Sequence, residues 1–139
     1  MSAYIVLTCE FIADKEILCQ ALSKLGLKYE EHDTPTKLIG WMDNTRPQTA
    51  EIVVRKSELN KTYTGLSNDI GFKWDKHKNA YDIICSDYDL KAKMQERIKQ
   101  AYAATAIENE MKRRGFKIEN EFCGQKKLGD VITVGKKVI

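Results

Sequence analysis

Two alternating stretches near the middle of the chain constrain its fold more than any other sequence feature. Residues 69–74 and 80–85 have the composition of strands, and the polar residues 75–79 between them have the length of a hairpin loop. Strand alternation places one set of side chains on a common apolar face. These side chains are Ile70, Phe72, Trp74, Tyr81, Ile83 and Cys85. The other face is half polar, which predicts an antiparallel sheet that is covered on one side only.

Two amphipathic helices are predicted on either side of this hairpin. Asp14 is a suitable N-cap for the first, which covers residues 15–25. The second begins at Asp87 or Asp89 and continues to Arg114, with the longest apolar stripe in the chain. The glycines expected at the left-handed C-terminal positions are Gly26 and Gly115. A second helix of this length crosses a whole sheet, and its end is free to meet a partner.

Short β-branched or alternating segments complete the secondary structure. The remaining predicted strands are residues 4–9, 27–31, 38–42, 51–55, 116–122 and 131–134. The order is therefore roughly β-α-β-β-β-β-β-α-β-β, which predicts an α+β fold, an antiparallel sheet with two helices packed on one face. The 139 residues fit a single domain over residues 1–139, with a mobile loop near residues 56–68, where the chain is polar and contains glycine.

Charge and cysteine usage exclude several classes of protein. The four cysteines are far apart in sequence, which favours buried free thiols in a reducing compartment over a zinc site or a disulfide framework. The longest apolar run is too short to cross a bilayer, so no membrane association is predicted. Residues 1–70 carry 8 basic against 10 acidic side chains, whereas residues 71–139 carry 15 against 10. An acidic partner is therefore possible for the second half.

An ordered set of short motifs is shared with a known family. The motifs are Met1-Ser2-Ala3-Tyr4, Ala21-Leu22, Leu25-Gly26, Asp69-Ile70-Gly71-Phe72, Ala101-Tyr102 and Arg114-Gly115-Phe116. In this combination the chain resembles the hypothetical chloroplast reading frame thirty-five family, a domain of unknown function in algal plastids, cyanobacteria and other bacteria. Residues 82–90 depart from the longer, Trp-containing stretch of plastid members. The resemblance implies no catalytic residues, and it is compatible with a location in the cytoplasm or the plastid stroma.

No catalytic or metal-binding constellation is recognisable in the sequence. The nucleophile-elbow, dinucleotide and P-loop motifs are absent, and residues 124–129 lack the phosphate-binding lysine because Asp130 follows them. His32 and His77 lie in loop-like contexts without a neighbouring cysteine or carboxylate at fixed spacing. Asp82, Asp87 and Asp89 could bind a cation, but capping of the second helix explains the last two better. We therefore predict no catalytic residues, no cofactor and no metal.

Three functions remain open from the sequence. The first is a non-enzymatic accessory or protein-interaction domain, whose open sheet edge and exposed helix end contact a protein partner or form a homodimer by sheet extension. The second is a nucleic-acid-binding module in which clustered basic residues contact phosphates. Its candidate residues are Lys112, Arg113, Arg114, Lys126 and Lys127. The third is an enzyme whose site is assembled from scattered Asp, His and Cys residues.

Overall fold

A computed structural model describes residues 4–8, 11–63, 66–87, 93–118 and 135–137 of the chain. The strands are β1 (Tyr4–Leu7), β2 (Glu30–Ile39), β3 (Thr45–Val54), β4 (Ile70–Asp75), β5 (Ala80–Ser86), β6 (Phe116–Ile118) and β7 (Gly135–Lys137). The helices are α1 (Lys15–Lys24), α2 (Lys56–Thr62) and α3 (Met94–Arg113). A tight turn at Trp41–Asp43, with left-handed φ at Met42 and Asp43, separates β2 from β3.

Strands β1 to β5 form one antiparallel sheet in the order β1-β5-β4-β3-β2, and β6 pairs with β7 in a separate ribbon. The predicted central hairpin is β4–β5, in which Phe72 is paired with Ile83 and Trp74 with Tyr81. Helices α1 and α3 pack against each other and contribute to the same core as one face of the sheet. The predicted α+β class, an antiparallel sheet with helices on one face, is therefore confirmed.

The main core lies between this face of the sheet and the helices. Phe72 is fully buried there, and the partly buried Trp74 contacts Tyr81 edge to face with 4.9 Å between ring centroids. Each large apolar side chain that leaves water at such a site contributes about 1.5–3 kcal/mol. The rings of the central hairpin are thus part of the core, as the alternation of the two strands predicts.

The second face of the sheet also carries a small core, contrary to the expectation that only one face is covered. Its buried members are Leu38, Ala50, Val53 and Ile84, with the partly buried Tyr4 packed against them. The sheet is curled over this cluster and brings its two edge strands together. The Tyr4 hydroxyl of edge strand β1 lies 3.3 Å from the carbonyl oxygen of Ile39 in edge strand β2. Gly71 lies under the cluster, where an added Cβ would come within 2.6 Å of the Ala50 Cβ.

Strand β2 replaces two of the predicted strands. Residues 30–39 form one strand that continues through Pro35, with register shifts relative to β3 between Glu31 and Thr36 and again between Lys37 and Ile39. An edge strand tolerates a proline because one row of its backbone groups has no ladder partner. The sequence break at Pro35 is therefore an irregularity within a strand, and the prediction of separate strands at 27–31 and 38–42 is wrong.

Helix α2 occupies the first part of the segment predicted as a loop. Leu59 is fully buried in the main core, and Asp69 accepts a hydrogen bond from the first backbone N–H of the helix at 2.8 Å. Asn60 bonds the backbone of Leu66 in both directions, which ties α2 to the residues before β4. The local sequence does not predict this helix, because the helix is stabilised by burial of Leu59 and by the carboxylate of Asp69, which lies outside it. The predicted mobility of residues 56–68 remains a prediction.

The two predicted long helices are present, with one corrected boundary. Asp14 caps α1 through hydrogen bonds from the backbone N–H groups of Glu16 and Ile17, and Gly26 and Gly115 have the expected positive φ. Helix α3 starts at Met94, later than Asp87 or Asp89, because Lys93 precedes it with a φ of 57°. A left-handed residue interrupts helical hydrogen bonding, so the described helix begins after Lys93.

Several predictions fall outside the described residues. These are Asp89, Lys126, Lys127, most of strand 116–122 and all of strand 131–134. Within the described part of the chain, no helix is both long and apolar enough to cross a membrane.

Candidate functional site

The turn between β2 and β3 displays two large apolar side chains to solvent. Trp41 is 51% exposed and Met42 is 70% exposed. Met42 and the next residue, Asp43, have positive φ values of 56° and 59°, a conformation that non-glycine residues rarely adopt. We call residues 40–44 the hairpin tip.

A buried carboxylate holds the base of the hairpin tip. Asp69 is 1% exposed, and its Oδ2 accepts hydrogen bonds from the backbone N–H of Ile39 and from Nη1 of Arg55, both at 2.8 Å. Its Oδ1 accepts from the backbone N–H of Lys56, also at 2.8 Å. One side chain therefore joins the end of β2, the end of β3 and the start of α2.

Two further side chains bind the backbone of the tip itself. The Oδ1 of the buried Asn68 accepts a hydrogen bond from the Trp41 N–H at 2.8 Å. Lys56 donates to the Gly40 carbonyl at 3.0 Å and pairs with Asp43 at 2.6 Å. An added Cβ at Gly40 would lie 2.9 Å from Asn68 Oδ1, so glycine is needed for this close approach. We call Asn68, Asp69, Arg55 and Lys56 the brace.

Arg55 extends the brace to the beginning of β2. Its Nε and Nη2 donate to Oε2 and Oε1 of Glu30 at 3.1 and 3.0 Å, and Oε1 also contacts His32 at 2.8 Å. The hydrogen bonds from Arg55 lower the pKa of Glu30, and those to Glu30 and Asp69 raise the pKa of Arg55. Arg55 is thus a charge-assisted link between the two ends of β2.

A second feature is an open polar groove of about 650 Å³ between α1, α3 and the start of β2. Cys19 lies in its wall and donates a hydrogen bond to Glu31 at 3.3 Å. Burial, followed by this bond to Glu31, raises the pKa of the Cys19 thiol to about 11. The thiolate is the reactive form of cysteine, so at neutral pH the protonated Cys19 is a poor nucleophile. Lys24, also on the wall, pairs with the fully buried Glu108 of α3.

The described basic residues of the nucleic-acid hypothesis lie together at the end of α3. Arg113 and Arg114 are both exposed, and both donate to Oε1 of Glu110, at 2.5 and 2.8 Å. Hydrogen bonds from these two arginines lower the pKa of Glu110 to about 2. Lys112 lines the polar groove. The structure therefore brings these three residues to one helix end, where a carboxylate shares the charge of two of them.

The other candidate residues have structural partners. His77 donates its backbone N–H to Asp75 at 2.9 Å in the β4–β5 turn, and Asp82 pairs with Lys78. In the ranges that the structure describes, no group of three or more His, Cys, Asp or Glu side chains is arranged to hold a metal ion.

Sequence reasoning missed the hairpin tip and its brace. The sequence predicts a strand at residues 38–42 that includes Trp41 and Met42, yet the strand ends at Ile39. One available signal was Asn68-Asp69, a polar pair directly before the most apolar strand. Asn and Asp side chains readily accept hydrogen bonds from backbone N–H groups, but the sequence does not show which distant groups donate them.

The fold and the site define an α+β domain that displays a braced apolar turn and shows, in its described residues, no metal-binding cluster. Residues 21–131, most of the chain, match the family described as protein of unknown function (DUF1257), and the protein belongs to that family. Neither the curated proteins nor the solved structures contain a match to this chain.

Proposed function

We propose that the protein is a non-enzymatic accessory domain that binds another protein through the hairpin tip. The observation that carries the proposal is that Trp41 and Met42 are exposed on a turn whose backbone is held at Trp41 by the buried side chain of Asn68. Tryptophan and methionine are enriched at protein interfaces, and tryptophan is a frequent hot spot. An apolar pocket on a partner protein is the surface that such a pair fits.

The backbone of the tip supports this function. A left-handed conformation costs a non-glycine residue about 1–2 kcal/mol, and the tip contains two such residues in succession. Strained backbone persists where the surroundings enforce it, and it concentrates at functional sites. Here the hydrogen bond from the Asn44 N–H to the Trp41 carbonyl closes the turn, and the brace contacts Gly40, Trp41 and Asp43 around Met42. A pre-organised tip also loses less conformational entropy when it binds than a mobile loop would.

Family membership is compatible with the finer resemblance to the hypothetical chloroplast reading frame thirty-five family, and it assigns no reaction. We propose the cytoplasm or the plastid stroma as the compartment, because the described Cys19 and Cys85 are buried thiols, as expected in a reducing environment.

The test replaces Trp41 with the photo-cross-linker benzoylphenylalanine in the native host. Ile107 on α3 is 53% exposed, close to the 51% of Trp41, and is the matched control position. We expect a discrete protein adduct from position 41 that position 107 does not give, and a several-fold weaker adduct when Met42→Ala is added. Equal adducts from both positions, or none from position 41, would contradict the proposal.

A second candidate function is nucleic-acid binding through the end of α3. It is favoured by the adjacent exposed side chains of Arg113 and Arg114, with Lys112 beside them. The other two candidate residues, Lys126 and Lys127, lie outside the described residues. The sharing of Glu110 by both arginines counts against it. The test is a gel shift with single-stranded RNA. Binding that weakens steeply with salt and is lost in Arg113→Glu/Arg114→Glu would support it, and no binding at low ionic strength would remove it.

A further inference from the structure

The two edges of the five-stranded sheet differ in how they could accept another strand. The edge strand β2 carries features that block pairing: charged side chains along its length, Pro35 and two register shifts. Proteins use these devices to prevent edge-to-edge association. The β2 edge is therefore closed to sheet extension.

The opposite edge strand, β1, has none of these features. Its four residues, Tyr4–Leu7, are uncharged and include no proline, and they pair with β5 in a continuous register. In the described part of the chain β5 is the only neighbour of β1. Val6 is 53% exposed, which is high for a valine in a sheet. The β1 edge is thus an apolar, regular and open template.

We propose that a second copy of the chain pairs with this edge, β1 against β1 in antiparallel orientation. This proposal rests on the protein-interaction function proposed above and names a second copy of the chain as one partner. It uses β1 and not the hairpin tip, so an experiment can contradict one proposal without contradicting the other. The charge pattern favours a second copy, because self-pairing of a neutral strand brings no like charges together. Self-pairing of β2 would instead place its charged side chains near their own copies.

The faces of the sheet fix the register of this pairing. Val6 is paired with Ile84 and lies on the second face, whereas Ile5 and Leu7 pack against the main core. In an antiparallel pair, the side chains of opposite residues point to the same face of the sheet. A residue of the second face must therefore lie opposite another residue of the second face, and a core-facing residue opposite another core-facing residue. A two-fold axis at Val6 meets this condition, with Val6 opposite its own copy and Ile5 opposite Leu7. That register covers the most exposed side chain of the strand.

The size of the contact sets the expected affinity. A strand of four residues provides a small interface, at the weak end for specific association. We therefore expect a reversible dimer with a dissociation constant on the order of 10–100 μM.

Disulfide trapping tests the register. In a background with Cys9→Ser and Cys123→Ser, the variant Val6→Cys is oxidised at about 100 μM protein, within the expected range of dimer affinity. Opposite residues of an antiparallel pair have Cα atoms about 4.5–5.5 Å apart, which suits a disulfide. We expect a cross-linked dimer from Val6→Cys and little from the equally exposed control Ile107→Cys. Equal cross-linking of the two variants would overturn the proposal.

A charge-introducing variant tests the interface without covalent cross-linking. Val6→Lys places two ammonium groups opposite each other at the two-fold axis, and we expect it to weaken the dimer by more than about tenfold in sedimentation equilibrium. Ile107→Lys is the control and leaves the dimer unchanged. Circular dichroism and urea unfolding establish that both variants are folded. A wild-type protein that stays monomeric above about 500 μM, well beyond the expected affinity range, or a dimer that Val6→Lys leaves intact, would overturn the proposal.

Discussion

Asp69 and Glu110 are both carboxylates bound by arginine, yet they do different things in the molecule. Asp69 is buried, and it also accepts hydrogen bonds from two backbone N–H groups, 30 and 13 residues away. Glu110 is exposed on α3, and its arginine partners are 3 and 4 residues further along the same helix. The first carboxylate joins three elements of the fold, whereas the second only orders side chains on one helix.

The difference shows that burial and sequence separation, more than the chemistry of the pair, decide what an ion pair contributes. A buried carboxylate that is removed leaves its donors without a partner in a place that water does not reach. An exposed pair is screened by water and salt, and its loss is mostly compensated. The following predictions test this contrast, in decreasing order of expected effect.

Asp69→Ala should have the largest effect. It leaves the Arg55 guanidinium and the N–H groups of Ile39 and Lys56 without their acceptor, which we expect to cost about 3–5 kcal/mol in the free energy of unfolding. Urea denaturation measures this cost. A loss below about 1 kcal/mol would mean that Asp69 is no more important than a surface carboxylate.

Tyr4→Phe should have a smaller effect at the same junction. It removes the hydroxyl that donates to the carbonyl oxygen of Asp69 at 2.9 Å, and keeps the ring under the Arg46 guanidinium. We expect a loss of about 0.5–1.5 kcal/mol in urea denaturation, since a backbone acceptor remains with fewer donors. If the loss equalled that of Asp69→Ala, the junction would depend on the curl of the sheet and not on the buried carboxylate.

Glu30→Gln should lower the stability at neutral pH modestly and make the stability less dependent on pH. Arg55 lowers the pKa of Glu30 below the ordinary value of 4.5, so the folded state binds this proton less readily than the unfolded state. The resulting stabilisation is present above pH 4.5 and is lost as the pH falls through the lowered pKa. Urea midpoints measured between about pH 6 and pH 3 should fall less steeply in Glu30→Gln than in the wild type. Identical slopes would show that Arg55 does not distinguish the charged from the neutral carboxyl group.

Glu110→Ala should have the smallest effect. Its pKa of about 2 reflects hydrogen bonds from Arg113 and Arg114 at an exposed site, where solvent replaces them when the carboxylate is lost. We expect no measurable change in the urea midpoint at neutral pH. If the nucleic-acid hypothesis holds, the same variant should bind RNA more tightly at low salt, because the two arginines are released. A large loss of stability would erase the contrast between the two carboxylates.

The parts of the fold that depend on local patterns could be predicted from the sequence. The β4–β5 hairpin follows from alternation, and α1 follows from its Asp14 cap and from Gly26, because these signals lie within a few residues of the structure they specify. The start of α3 could not be predicted, since it depends on the backbone conformation of Lys93.

The candidate site was hidden for a related reason. Helix α2 and the hairpin tip depend on hydrogen bonds that Asn68 and Asp69 accept from backbone N–H groups 13 to 30 positions away, and no local pattern shows these partners. The sequence around Trp41 does not show that the chain turns after Gly40, so it predicts a strand there. Whether the five basic residues form one patch stays a prediction, and the sequence alone does not show that Arg113 and Arg114 share the partner Glu110.

The proline and the irregular pairing of β2 also limit how large an assembly this chain can build through its main sheet. When a strand of a second copy pairs with β1, the β2 edge of each copy remains, and that edge does not accept a further strand. In the proposed β1 pairing, growth of the sheet therefore stops at a closed pair, whereas a sheet with two open edges could elongate into a fibre.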